Sequence, residues 1–247
     1  MRKYKSSIIV GILFFIIWEL VARYINAMYI LPSPSRILQK TWELREPLFL
    51  VHLPSTLLIT FIGLIISIAL GVFLAVIMSL NEKIEKAVYP IVVVTQTIPI
   101  TALAPIFVLW FGYSIWSKVI VTILITFFPI TVNVYDGLRS TRRDMEELLI
   151  TYGASKRDIF IKLKLPSAMP YFFSALKISV PLSVIGAAIS EWLGAQSGLG
   201  YFSKRMMTQL DGAAVFAPIL ILSVAAIILV CIINILENKI IKWRNEA

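Results

Sequence analysis

The sequence predicts an all-α integral membrane protein with six transmembrane helices and both termini in the cytoplasm. Three observations carry this. Of its 247 residues, 59% are hydrophobic and 15% are charged, against about 25% charged in a soluble domain, and the mean hydropathy is +0.87. A core of this size cannot hide that much apolar surface, which excludes an ordinary cytosolic enzyme and a disordered chain. The apolar residues fall into six runs near the ~20 residues a helix needs to cross a bilayer, without the alternation of a transmembrane barrel. The basic residues are divided unevenly between the two sides that those runs define.

The first run covers about 7–22. Arg2, Lys3 and Lys5 ahead of it also fit the start of a signal peptide, but no small-x-small cleavage site follows and Trp18-Glu19 interrupts the place it would occupy. The outer connection, 23–54, contains LPSPSRIL, whose prolines break helices. A short interfacial helix is expected over 34–44, with Trp42 at headgroup level. The second run covers about 55–80. The third, about 87–111, is interrupted by Thr95, Gln96, Thr97, Pro99 and Pro105. Proline there marks a kink or break, and interrupted helices line paths in transporters, so Gln96 and Thr97 are candidate lining groups.

The fourth run, about 118–135, brings Thr131 and Asn133, which either line a path or bond neighbouring helices. The fifth, about 168–190, contains Lys177, whose long stem either snorkels to the cytoplasm or serves a pathway. It ends at Glu191 in SEWLGAQSGLGYF. Gly194, Gly198 and Gly200 permit irregular backbone, which membranes tolerate only where protein or water surrounds it, so this stretch is either a mouth of the path or an ordinary interfacial loop. The sixth run, about 213–236, holds Cys231, a small buried hydrophobe. One cysteine excludes an internal disulfide and a Cys-based metal cluster. The lone His52 reads as structural or solvated. The whole chain, 1–247, forms a single transmembrane domain on this reading.

With the N-terminus inside, inner segments hold fifteen Lys and Arg: three in the N-terminal tail, two at 83 and 86, seven in 138–167 and three in the C-terminal tail. Outer segments hold seven, and Lys177 lies within a span. The bias puts both termini inside, and makes the net charge of +9 an orientation signal rather than a nucleic-acid footprint.

The inner loop, 138–167, reads LRSTRRDMEELLITYGASKRDIFIKLKLPS. Thr141 with Asp144, and Ser155 with Asp158, both fit capping boxes, so two short helices are expected to begin near Arg142 and Lys156. Gly153 ends the first, where a left-handed cap favours glycine, and Pro166 ends the second. Leu148, Leu149 and Tyr152 form one apolar stripe, and Ile159, Phe160 and Leu163 another. Each wants a partner, either the inner ends of the chain's own helices or another protein.

The frame Glu147, Gly153, Leu163, Leu165 and Pro166, with the cap at Ser155, resembles the EAA loop of ABC-transporter permease subunits. Leu148 and Leu149 stand where that family usually has alanines. The stretches WELVARYINAMYILPSPSRIL, TIPITALAPIFVLWFGYSIWSK, FFPITVNVYDGLRS and SEWLGAQSGLGYF resemble, in the same order, permeases of binding-protein-dependent importers for sulfonates, taurine, nitrate, riboflavin and thiamine precursors. The resemblance implies the type I permease fold of a multi-pass cell-membrane protein. It implies an EAA loop that couples to ABC ATPase subunits, an extracytoplasmic substrate-binding protein, and a second permease chain in a homodimer. The implied cargo is a small polar solute, with a thiamine pyrimidine precursor ranked first and aliphatic sulfonates, taurine, nitrate and riboflavin as alternatives. The chain has no catalytic or metal residues and no cofactor on this reading: it lacks a G-x-x-x-x-G-K-[ST] loop and an H-E-x-x-H site, and ATP with Mg²⁺ would bind the partner ATPase.

Two other classes compete. An ion-coupled secondary transporter would show internal repeats or paired interrupted helices with buried acids; only Glu19 and Glu191 approach this. An intramembrane enzyme would need a nucleophile–base pair or metal ligands at depth, and none is evident.

Overall fold

A computed structural model describes residues 5–27 and 29–242. Arg2, Lys3 and Arg244, counted above for orientation, lie outside the described residues. The elements are α1 (Lys5–Ile25), α2 (Pro34–Glu43), a π-helical stretch (Pro47–His52) running directly into α3 (Leu53–Leu80), α4 (Glu82–Val94), α5 (Ile100–Phe111), α6 (Ile115–Arg139), α7 (Arg143–Thr151), α8 (Lys156–Ile159), a second π-helical stretch (Phe160–Lys164), α9 (Leu165–Gly194), α10 (Leu199–Thr208) and α11 (Gly212–Ile240). No strand occurs among the described residues.

Five stretches are long and apolar enough to cross a membrane: Ile8–Ile25, Pro47–Leu80, Ile115–Arg139, Lys156–Gly194 and Gly212–Ile240. The third expected span departs from expectation. It is divided into α4 and the short apolar α5, with residues 95–99 between them. The break has a local cause. Thr95 and Thr97 turn their hydroxyls back onto the carbonyls of Val92 (2.6 Å) and Val94 (2.8 Å), which offers the backbone an alternative to the helix. Pro99 then lacks an N–H and holds Ile98 away from helical angles. Pro90 and Pro105, by contrast, lie inside α4 and α5.

The core is the trio α3, α6 and α9, built on small residues. Lipid is as apolar as leucine, so helices in a membrane associate through close packing and interhelical hydrogen bonds rather than hydrophobic exclusion. A Cβ on Gly71 would come 2.8 Å from Ile130 Cγ2, and one on Gly137 would come 2.7 Å from Tyr171 Cβ. A polar layer crosses the trio at mid-length. Ser67 and Thr126 share a 2.6 Å hydroxyl–hydroxyl bond, and Ser179 donates to Thr126 O at 3.3 Å. Below it lies an apolar cluster of Ala75, Met78, Ile130, Val134, Leu138 and Ala175. α11 packs on α9 and α10, and α2 lies across α11; Cys231 of α11 is exposed, not buried as expected, because little of this helix is covered by the others.

The chain alternates direction, so one end of the bundle collects the C-terminal ends of α3, α6 and α11 with the loop 138–167. The other collects the N-terminal ends of α3 and α6, the C-terminal end of α9, and α10.

Candidate functional site

At the first end, α7 carries no buried residue. Its N-terminus differs from the expected capping box. Arg142, not Thr141, is the N-cap and makes no capping bond. Thr141 instead donates to Glu146 Oε1 at 2.8 Å, and Asp144 receives the Arg142 guanidinium. The box failed because Glu146, five residues on, competed for the threonine and Arg142 for the aspartate. The other end of α7 is as expected. Gly153 has φ +79°; its N–H donates to Ile150 O (2.9 Å), and Ala154 N–H donates to Leu149 O (3.0 Å). These two bonds are the Schellman termination.

Ser155 then starts α8 with the full capping box: its Oγ accepts from Asp158 N (3.2 Å), and Asp158 Oδ2 accepts from Ser155 N (3.2 Å). Pro166 departs from expectation. It does not end this helix but sits in the first turn of α9, and residues 156–194 form one uninterrupted helical stretch. Its missing N–H falls directly after the π-helical stretch, where the hydrogen-bond register shifts, so the helix passes through the proline instead of stopping there.

The two apolar stripes have different fates. Ile159 is buried and Phe160 packs on the core cluster of the trio, so the second stripe is satisfied within the chain. The first is satisfied only in part. Leu149 is half-buried, whereas Leu148 and Tyr152 are exposed, the latter at 81%, as is Ile150 on the other side of the helix, on an element outside the apolar body of the bundle. Glu147 lies among them, exposed and paired only with Arg143 of its own helix (3.1 Å). Leu163 is half-buried and Leu165 exposed. Ion pairs tie the loop to the bundle: Lys164 to Glu146 (3.1 Å) and, beside it, Arg139 to Glu85 of α4 (2.7 Å).

The candidate pathway residues are not gathered into one site. Gln96 and Thr97 are exposed at the α4–α5 break. Asn133 turns its amide back onto Pro129 O of its own helix (2.7 Å). Lys177 pairs with Glu237 of α11. Glu191 lies fourteen residues further along α9, about 21 Å at 1.5 Å per residue, at the opposite end of the bundle.

There Glu191 belongs to a buried polar node that the sequence did not disclose. Gly198 N–H donates to His52 Nδ1 (3.1 Å), Leu199 N–H to Thr56 Oγ1 (2.8 Å) and Gly200 N–H to Glu191 Oε2 (2.7 Å). Three side chains from α9, α3 and the π-helical stretch before α3 thus satisfy the first N–H groups of α10, which no carbonyl of that helix can reach. Ser55 and Ser197 add a 2.9 Å bond. Gly198 is required twice over: φ is +118°, and a Cβ would lie 2.1 Å from Glu191 Cδ. Lys118 is buried nearby, its ammonium donating to Tyr113 O (2.9 Å) and Ser114 O (3.0 Å). His52 is therefore structural, as one of the two expectations had it. Its partner is 146 residues away, beyond what spacing can signal.

A helix body with an exposed, rigidly terminated loop at one end and a polar node at the other agrees with comparisons to known proteins. The model of the family described as "Binding-protein-dependent transport system inner membrane component" matches residues 67–242. The chain is 59% identical to the formylaminopyrimidine transport permease protein ThiX of Halalkalibacterium halodurans over 94% of this chain and 92% of that protein. It is 28% identical to the riboflavin transport system permease protein RibX of Chloroflexus aurantiacus (87% and 81%), and 27% identical to the putative aliphatic sulfonates transport permease protein SsuC of Bacillus subtilis (93% and 84%). Among solved structures, an inward-facing MetNI methionine ABC transporter chain is similar in fold, with a TM-score of 0.58 at 21% identity over 83% of this chain and 94% of that one. The chain is a multi-pass membrane protein, and it belongs to the family of inner membrane components of binding-protein-dependent transport systems.

Proposed function

We propose that this chain is the permease subunit of an ABC importer that carries a formylaminopyrimidine, or a closely related pyrimidine precursor of thiamine, across the cell membrane into the cytoplasm. The observation that carries the substrate is the 59% identity, over nearly the full length of both chains, with a formylaminopyrimidine transport permease. The riboflavin and sulfonate permeases stand at 27–28%.

On this reading the chain is a single transmembrane domain that crosses six times. α4 and α5 together make the third crossing, and the alternation of direction leaves both termini on the cytoplasmic side with the loop 138–167. That loop docks on an ATPase subunit, which binds ATP and Mg²⁺. The exposed side chains of Leu148 and Tyr152 supply apolar contact, Glu147 meets cationic groups, and Gly153 with Ser155 holds the turn. Leu163, Leu165 and Pro166 join the docking helix to α9. Two copies of the chain form the permease, and an extracytoplasmic binding protein delivers the solute to the opposite end. Gln96, Thr97, Asn133, Lys177 and Glu191 are the pathway residues of this reading, of which Glu191 has the most distinctive surroundings.

The test is uptake of radiolabelled formylaminopyrimidine by proteoliposomes that hold the chain with its ATPase inside and binding protein outside. ATP-dependent accumulation is expected. Uptake driven by an ion gradient without ATP, or import of an alkanesulfonate in place of the pyrimidine, overturns the reading.

A further inference from the structure

Beside the polar node a cavity of about 420 Å³ opens between the end of α9 and α10, with Glu191 in its floor, Tyr113, Trp192 and Tyr201 in its walls and Lys204 and Arg205 at its rim. We propose that this cavity is a solute-receiving site for a planar heteroaromatic bearing an amino group. The assignment rests on the substrate reading above and deepens it.

Glu191 is 1% exposed. One carboxylate oxygen is used by Gly200 N–H, while Oε1 is buried and receives no well-formed hydrogen bond among the described residues. The Thr56 hydroxyl and the Tyr201 N–H lie close enough to act on the carboxylate, but Thr56 directs its proton to His52 O at 3.2 Å. A buried acceptor without a donor costs free energy that a ligand can return by supplying the donor. An exocyclic amine does so. Three aromatic side chains around the cavity offer faces for a flat ring, which is the usual apolar body of a small-molecule site with one orienting polar group.

The floor selects against anions. Lys204 and Arg205 carry positive charge at the rim, Lys204 with its ammonium on Trp192 O at 2.6 Å, but the polar group in the floor is a carboxylate. A sulfonate would bring negative charge onto a buried acceptor with no donor to exchange. Charged side chains in the floor and rim also mark the cavity as facing water or protein rather than lipid.

The discriminating variant is Glu191→Gln. Its amide oxygen still accepts from Gly200 N–H, so the capping of α10 is retained, but the second position becomes a donor facing the ligand's own donor. Formylaminopyrimidine is titrated into the permease–ATPase complex without binding protein, reading tryptophan fluorescence with Trp192→Phe as the control for the signal, and uptake is measured in parallel. The wild type is expected to show saturable quenching that an alkanesulfonate does not compete away. Glu191→Gln is expected to raise the half-saturating concentration about 10- to 100-fold. Equal affinity and uptake in Glu191→Gln overturn the site while leaving the substrate reading intact. A wild type that imports an alkanesulfonate instead overturns both. If Glu191→Gln does not copurify with the ATPase, Tyr113→Ala decides: its side chain is exposed at the cavity wall, and an unchanged half-saturating concentration refutes the assignment.

Discussion

Replacing Gly153 with valine separates mechanical coupling from folding. The glycine sits at φ +79°, and a Cβ there would meet no atom within 4 Å. The cost is therefore purely that of the left-handed backbone, about 1–2 kcal/mol for an ordinary side chain and towards 3 kcal/mol for a β-branched one. At 1.4 kcal/mol per factor of ten, the Schellman turn that joins α7 to α8 loses about one to two decades in its population relative to other turn geometries. The bundle does not share this cost, because α7 buries none of its residues. Gly153→Val is expected to insert, to copurify with the ATPase at reduced yield, and to lose about tenfold or more in solute imported per ATP hydrolysed. Gly153→Asn, which tolerates left-handed angles, is expected to keep most of the coupling. The assay is simultaneous uptake and phosphate release in proteoliposomes. A valine variant that imports with the wild-type ratio refutes the role assigned to this turn, and so does an asparagine variant as defective as valine.

Four further outcomes follow from the packing. Lys177→Met removes the ion-pair partner of a glutamate that is only 8% exposed on its side chain, and is expected to cost about 2–4 kcal/mol. The double variant Lys177→Met with Glu237→Leu should recover at least half of that, read as thermal unfolding in detergent. Gly137→Val presses a side chain against Tyr171 and the Ala168 backbone at 3.0 Å or less, and should separate α6 from α9 with a loss of at least about 2 kcal/mol. Gly198→Ala combines φ +118° with a clash at Glu191; greater hydrogen exchange across α10 than across α3 is the expected signature. Asp211 holds the Lys40 ammonium above its usual pKa of 10.5, with Glu43 adding to the effect. A raised lysine stabilises fully below its unfolded value and loses that contribution only as pH climbs through the folded one, so protease protection of α2 should be flat from about pH 6 to about pH 9 and fall in strong alkali.

What was legible in the sequence was what lies close in it. The box at Ser155 and Asp158 and the turn at Gly153 each depend on residues within a few positions, and both form as expected. The box at Thr141 and Asp144 had the same spacing and failed, because Glu146 and Arg142 offered those side chains other partners. Pattern alone cannot rank such competitors. Pro166 does not stop the helix because the π-helical stretch before it shifts the register of the hydrogen bonds, which spacing does not signal. Proline did locate the interruption of the third span, but not its width, which the back-bonded hydroxyls of Thr95 and Thr97 set. The fates of Lys177, His52 and Glu191 were out of reach. Each is decided by a contact between different helices, Lys177 by a glutamate 60 residues later and His52 by a backbone amide 146 residues later.

The misread proline changes the mechanics. A loop helix that stopped at Pro166 would be a separate lever, hinged to the membrane body. Instead, the 39 residues from Lys156 to Gly194 are continuous, about 58 Å at 1.5 Å per residue against a hydrocarbon core of about 30 Å. The rod is therefore longer than that core is thick, with the Ser155 cap at one tip and Glu191 near the other. A push on the tip needs no chain of intermediate contacts to reach the cavity floor. It is delivered by a rod whose points of compliance are the π-helical stretch at Phe160–Lys164 and the prolines at 166, 170 and 181, which have no N–H to donate to the helix. The three amides held by His52, Thr56 and Glu191 then become the place where axial movement meets resistance, because two of those side chains belong to the segment entering α3 and one rides on the rod. Any sliding of α9 past α3 shears Gly198–Gly200 between them, so the cavity and the loop 138–167 lie at the two ends of one element.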